Sequence, residues 1–251
     1  MKTKIIVRGP ALSQSGYGEQ TRFALRSLRT REDFFDIHLD NTPWGNTGWI
    51  SEDNEEREWI DGLIDKVLIS LHKKENPVYD VSLQITIPNE WKPAAAVNIG
   101  YTAGIETSAV APVWIQLGDQ MDHIIVVSNH SKKVYESTTA QVVDGQNKVV
   151  EDNLRLQTPI TVVNFPTRAR QPKIEGLDFA TDFNFLTIAQ WGPRKNLDKT
   201  IKCFIEEFIN EEVGLIVKAN VGRNNHMDRN NTKFRLKEII RKFPNMKCKI
   251  Y

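Results

Sequence analysis

The sequence predicts an α/β protein in which one complete doubly wound domain is followed by part of a second. Three observations predict it. Short β-branched runs alternate with helical patterns over the first two thirds of the chain. The alternation stops in a polar, aperiodic stretch at 167–182. It then resumes as strand, helix, strand, helix, strand up to Tyr251.

The first series places buried parallel strands at 5–8, 35–39, 81–85, 97–101, 123–127 and 160–163. Helical patterns fall at 19–28, 53–63, 112–121 and 131–137. The second series places strands at 185–189, 214–219 and 247–251, with helices at 196–208 and 231–243. The domains are therefore 1–170 and 183–251, with a linker at about 167–182. A doubly wound half needs more strands and helices than the second series holds, and roughly 70 residues make a poor independent core. The second domain reads as incomplete, and its unfinished sheet edge predicts self-association or poor solubility.

Composition bounds the function. The chain has 251 residues, 40% hydrophobic and 26% charged, with a formal net charge of +1. No global basic field argues for nucleic acid. No apolar run approaches the roughly 20 residues that span a bilayer. Cys203 and Cys248 are the two cysteines; both read as reduced core residues, which fits a cytoplasmic location. No His/Cys cluster has metal spacing, and neither a Walker A sequence nor a G-x-S-x-G elbow occurs.

Chemistry concentrates where strands run into helices. Phe185-Leu-Thr-Ile-Ala-Gln-Trp-Gly-Pro-Arg-Lys-Asn196 joins an apolar strand to a turn with two cations, Arg194 and Lys195. Asn196 is expected to cap a helix with apolar residues at Leu197, Ile201, Phe204, Ile205 and Phe208. Free amides, the helix dipole and two cations together make an anion site. Lys218, near the end of the next strand, either closes that site or snorkels from an edge. The first turn, residues 9–22, carries Gly16 and Gly18, whose backbone can approach a ligand closely. Thr21 stands where the dinucleotide fingerprint needs its third glycine, so a nicotinamide cofactor is disfavoured.

Three other segments carry weaker signals. After the strand at 97–101, a Gly-containing loop holds Glu106 and Thr107; Glu106 is placed to bond sugar hydroxyls or orient a cation, or else is plain solvated charge, and Thr107 and Ser108 are good caps. Ser128 and Asn129 are expected to cap the next helix, and His130 lies at the ligand end of its strand. Trp44, Trp49 and Trp59 fall in a polar excursion where packing is the expected role. The loop 223–229 reads as solvated charge.

In order along the chain, Ser15-Gly-Tyr-Gly-Glu-Gln-Thr-Arg22, Gly100-Tyr-Thr-Ala-Gly-Ile-Glu-Thr107 with Trp114, Ile125-Val-Val-Ser-Asn129, and Trp191-Gly-Pro-Arg-Lys-Asn196 with Phe204-Ile-Glu-Glu-Phe208 resemble the GT-B glycosyltransferases of the retaining family 4 group. The resemblance implies a GT-B fold, with an acceptor-side domain first and a nucleotide-sugar-binding domain second, meeting at a cleft. It implies a nucleotide-diphosphate sugar donor, a glycan or small-molecule acceptor, and no cofactor or metal. The donor diphosphate would be held by Gly16, Tyr17, Gly18, Arg194, Lys195 and Lys218. Lys195 matches the family lysine. The family arginine falls where this chain has Ala189, Gln190 and Trp191, with Arg194 as its stand-in. Glu106 and His130 are the candidate catalytic contacts. The family's paired glutamates, with seven residues between them, are missing. That implies weak donor binding, and either a fragment or a second chain that completes the domain. The alternative is a catalytically inert nucleotide- or sugar-binding module, or one subunit of a split transferase.

Overall fold

The computed structural model describes residues 2–143, 145–146, 148–169, 171 and 176–251. Part of the expected linker, 170 and 172–175, lies outside the described residues. The chain divides into two compact units, one of Met1–Trp44 with Ile50–Arg168, the other of Gly45–Trp49 with Ala169–Tyr251.

The first unit is built on a parallel sheet of six strands: β1 (Thr3–Gly9), β2 (Phe35–Asn41), β3 (Val81–Gln84), β4 (Val97–Tyr101), β5 (His123–Val126) and β8 (Ile160–Val162). Their order is β2-β1-β3-β4-β5-β8. All six were legible as β-branched runs. Register aligns Leu39, Val7, Leu83 and Ile99 across four strands. That row packs against Leu25 of α1 (Gly16–Arg29) and against Ile60 and Leu63 of α2 (Glu55–His72). Each such fully buried aliphatic side chain contributes about 1.5–3 kcal/mol. The alternate residues Ile124, Val126 and Ile160 build a second core with Ile115 of α3 (Pro112–Gly118) and Val134 and Tyr135 of α4 (Asn129–Ser137). Period-two alternation lets β5 feed both cores, since Ile125 packs with the first.

An antiparallel hairpin of β6 (Ala140–Val143) and β7 (Val149–Leu154) precedes β8 and was not expected. Its signal was present: Val-Val pairs stand on both sides of Asp144-Gly145 in the sequence.

The second unit holds three parallel strands, β9 (Asn184–Gln190), β10 (Gly214–Asn220) and β11 (Lys249–Ile250), in the order β11-β10-β9. Two helices, α5 (Leu197–Glu207) and α6 (His226–Ile240), complete six α-helices among the described residues. Trp191, Leu197, Ile201, Phe204, Ile205, Leu215, Ile239 and Cys248 form its core. Cys203 was expected in that core but is exposed. At 100° per residue it points away from the stripe set by Leu197, Ile201 and Phe204. Phe234 of α6 is likewise exposed. The other face of the sheet is open: Leu186 is 61% and Ile188 64% exposed. The architecture of the first unit is thus α/β with a parallel sheet, Rossmann-like in kind. No helix among the described residues is long and apolar enough to cross a membrane.

Candidate functional sites at the strand ends

In the first unit the helix connections diverge from β1, which has β2 on one side and β3 on the other. Open α/β sheets bind ligands beyond the strand ends at such a switch point. The β1–α1 turn there is rigid. Ser15, in extended geometry, caps α1 by accepting from the Gly18 amide at 3.0 Å. The buried Arg22 guanidinium donates to the carbonyls of Ala11 (2.6 Å) and Ser13 (2.9 Å), and Glu19 accepts from its other edge. Sequence reading assigned Arg22 no role; a basic residue two turns into a Gly-turn helix gives no local sign that it will fold back on the turn.

The two glycines of this turn differ. Neither has positive φ, so the turn does not need glycine for its dihedrals. A Cβ at Gly18 would collide with the carbonyl of Ser13, whereas one at Gly16 meets nothing within 4 Å. Gly18 serves internal packing; Gly16 is exposed and has room. The first-turn amides of Gly16 and Tyr17 have no intrahelical acceptor, as at any helix start.

Tyr17 braces the site. Its hydroxyl lies 3.0 Å from Thr102 Oγ1 and accepts from the Ala103 amide at 3.2 Å, while its ring packs on Trp44 at 4.5 Å. Burial raises its pKa, with Thr102 and Ala103 acting in the opposite direction. Burial also raises the pKa of Tyr135 far above the ordinary phenol range. Burial thus favours the neutral form of both phenols. Gln20 Oε1, Thr86 Oγ1 and Tyr135 Oη are buried without a hydrogen-bond partner.

Glu106 and His130 lie on neighbouring connections at this same end of the sheet. The loop after β4 is tied to the start of α4, because the Ile105 amide donates to Ser131 Oγ at 3.1 Å. Both Glu106 and His130 are exposed. Ser128 caps α4 as expected, accepting from the Ser131 amide, and Asn129 is the first helical residue. Thr107 and Ser108 cap nothing. Pro112 starts α3, with Ala111 before it, since its fixed φ suits a first helical position. Thr107 instead donates to the Ala109 carbonyl. Trp59 donates to Glu32, and Trp49 is exposed.

In the second unit, the turn beyond β9 is held by Trp191. Its backbone amide donates to Asn220 at 2.7 Å and its indole to Asp198 at 2.7 Å. Gly192 accepts from the amides of Lys195 and Asn196. Arg194 and Lys195 are exposed on this turn, before α5. Asn196 occupies the cap position but in the left-handed region, φ 47°, and its side chain makes no cap bond. The expected cap is thus corrected: Asn196 serves by tolerating a conformation that most residues avoid. Lys218 is exposed and pairs in register with Ile188, so it belongs to the open sheet face rather than to the α5 side.

The loop after β10 is not solvated charge. Asp228 accepts from the amides of Val221 (3.1 Å), Gly222 (3.0 Å) and Asn224 (2.7 Å). Its own amide donates to Asn225, so α6 begins five residues before the expected start. The pattern Asn225-x-x-Asp228 is a capping signature that could have placed it. No group of three or more His, Cys, Asp or Glu among the described residues could hold a metal. No protein-family model matches the chain, and no curated protein matches it.

Proposed function

We propose that this chain is a glycosyltransferase of the GT-B type, or part of one, that uses a nucleotide-diphosphate sugar and retains the anomeric configuration. The observation that carries the reading is the turn 191–196: two exposed cations at a strand's carboxyl end, on a backbone fixed by Trp191, directly ahead of a helix start. In the reaction an acceptor hydroxyl attacks the anomeric carbon and the diphosphate departs with added negative charge. Arg194 and Lys195 would stabilise that charge electrostatically. Gly16 is the residue of the first turn with room for a phosphate to approach, and Glu106 and His130 are the candidate contacts to the sugars. Lys218 is the weakest member of the proposed set, because it lies on the open sheet face.

Calorimetric titration with nucleoside diphosphates tests this. Micromolar binding is expected, weakened at least about tenfold in Lys195→Ala, the loss of one charge-assisted hydrogen bond. Binding of sugars without nucleotide would favour an inert sugar-binding module. Binding of neither would end the proposal.

A further inference from the structure

We propose that Arg22 is the positioning residue of the β1–α1 turn: it sets a run of backbone amides toward a phosphate group without touching that group itself. The proposal rests on the donor reading for the identity of the ligand. Its geometry rests on the first unit alone.

The amides of the turn fall into three runs. Those of Ala11 and Ser13 donate to the carbonyls of Gly9 (3.0 Å) and Pro10 (2.9 Å), and that of Leu12 donates to Asn41 Oδ1 (3.2 Å). Those of Gly18 and Glu19 donate to the hydroxyl and the carbonyl of Ser15, both at 3.0 Å. Between them the amides of Gln14, Ser15, Gly16 and Tyr17 donate to nothing among the described residues. An ordinary helix start accounts for Ser15, Gly16 and Tyr17. Gln14 lies before it, and Arg22 accounts for Gln14.

In a trans peptide the carbonyl of one residue points opposite to the amide of the next. Arg22 Nη1 takes the carbonyls of Ala11 (2.6 Å) and Ser13 (2.9 Å). The peptide joining Ser13 to Gln14 therefore turns its oxygen to the guanidinium and its N–H away from it. Flipping that peptide would set an amide against a cation and leave a carbonyl outward, where it repels an anion. The hydroxyls continue the lock, since Ser13 Oγ donates to Ser15 Oγ, which caps the helix.

Arg22 has no donor aimed at the ligand. It is 8% exposed. Nη1 serves the two carbonyls, while Nε and Nη2 both donate to Glu19 Oε2, at 2.9 and 2.7 Å. Glu19 also offsets its charge, so the guanidinium acts through backbone geometry rather than as a field. Lysine lacks the planar fork that holds two carbonyls and a carboxylate together. A turn that is competent only part of the time binds more weakly by that fraction.

The test is amide-resolved NMR of the intact chain, titrated with inorganic pyrophosphate at constant ionic strength. The amides of residues 14–17 should shift together with a dissociation constant of about 1 mM, while the Arg22 Nε–H signal stays in place. Arg22→Lys should raise that constant at least about fivefold. Arg22→Ala should lose the shifts; millimolar guanidinium ion should restore them and methylammonium should not, an outcome that lost packing alone would not give. Should Arg22→Ala fail to fold, Leu25→Ala on the same helix is the matched control for Arg22→Lys: it destabilises the unit and should leave the pyrophosphate constant unchanged. No shift at residues 14–17, equal affinity in Arg22→Lys, or an Arg22 Nε–H that shifts as strongly as the amides overturns the proposal. Pyrophosphate shifts at the turn, without any nucleoside diphosphate binding that depends on Lys195, would end the donor reading and leave the role of Arg22 standing.

Discussion

A methyl group at residue 18 has nowhere to go, because α1 starts so close beneath the Ser13 carbonyl. Two residues earlier the same methyl group meets open space. Gly18→Ala should therefore destabilise the protein by about 1–3 kcal/mol through overpacking. Gly16→Ala should be neutral or stabilising by up to about 1 kcal/mol, through the unfolded chain. Urea denaturation of both variants checks this; equal costs would show that the turn is not packed as described. The sequence motif treats the two glycines alike. Only the fold of Arg22 onto Ala11 and Ser13, which fixes the carbonyl beneath Gly18, separates them. Cys203 makes the same point: residue type assigned it to the core, while helix phase turned it to solvent.

At the scale of elements, strands were easier to find than helix starts. A parallel strand buried on both faces advertises itself as a β-branched run. A helix start depends on a few polar atoms whose partners need not be adjacent. Helix α6 shows this, since Asn225 caps it by accepting from the Asp228 amide while the Asp228 carboxylate gathers three amides of the preceding loop. Asp228→Ala should cost about 1–3 kcal/mol, leaving those amides without their acceptor. Hydrogen exchange at residues 221–224 should accelerate with it. Unchanged exchange there would mean that the carboxylate does not hold the loop. The candidate sites were legible at the same coarse level. Arg194 and Lys195 emerged at a strand end because cations after an apolar run are visible in one dimension. The hydrogen bond from Trp191 to Asp198, which fixes their turn, was not visible.

At the scale of the whole molecule, each unit has its own core, and that of the second is small. A core cavity should register in one unit's melting. Ile201→Ala in α5 and Leu25→Ala in α1 should each cost about 2–5 kcal/mol. Calorimetry is expected to resolve two transitions, each variant lowering a different one; a single transition shifted equally by both would show the units to be one cooperative block. Taken alone, the sequence determined the strand–helix alternation, because periodicity and β-branching are local consequences of backbone geometry. It also located the basic turn, because charge beside an apolar run needs no third dimension. Tertiary structure decided which glycine is indispensable, where Lys218 points, and that Asp228 is an internal ligand of its loop. Those depend on atoms distant in the chain being brought within hydrogen-bonding or van der Waals range, which no local pattern encodes.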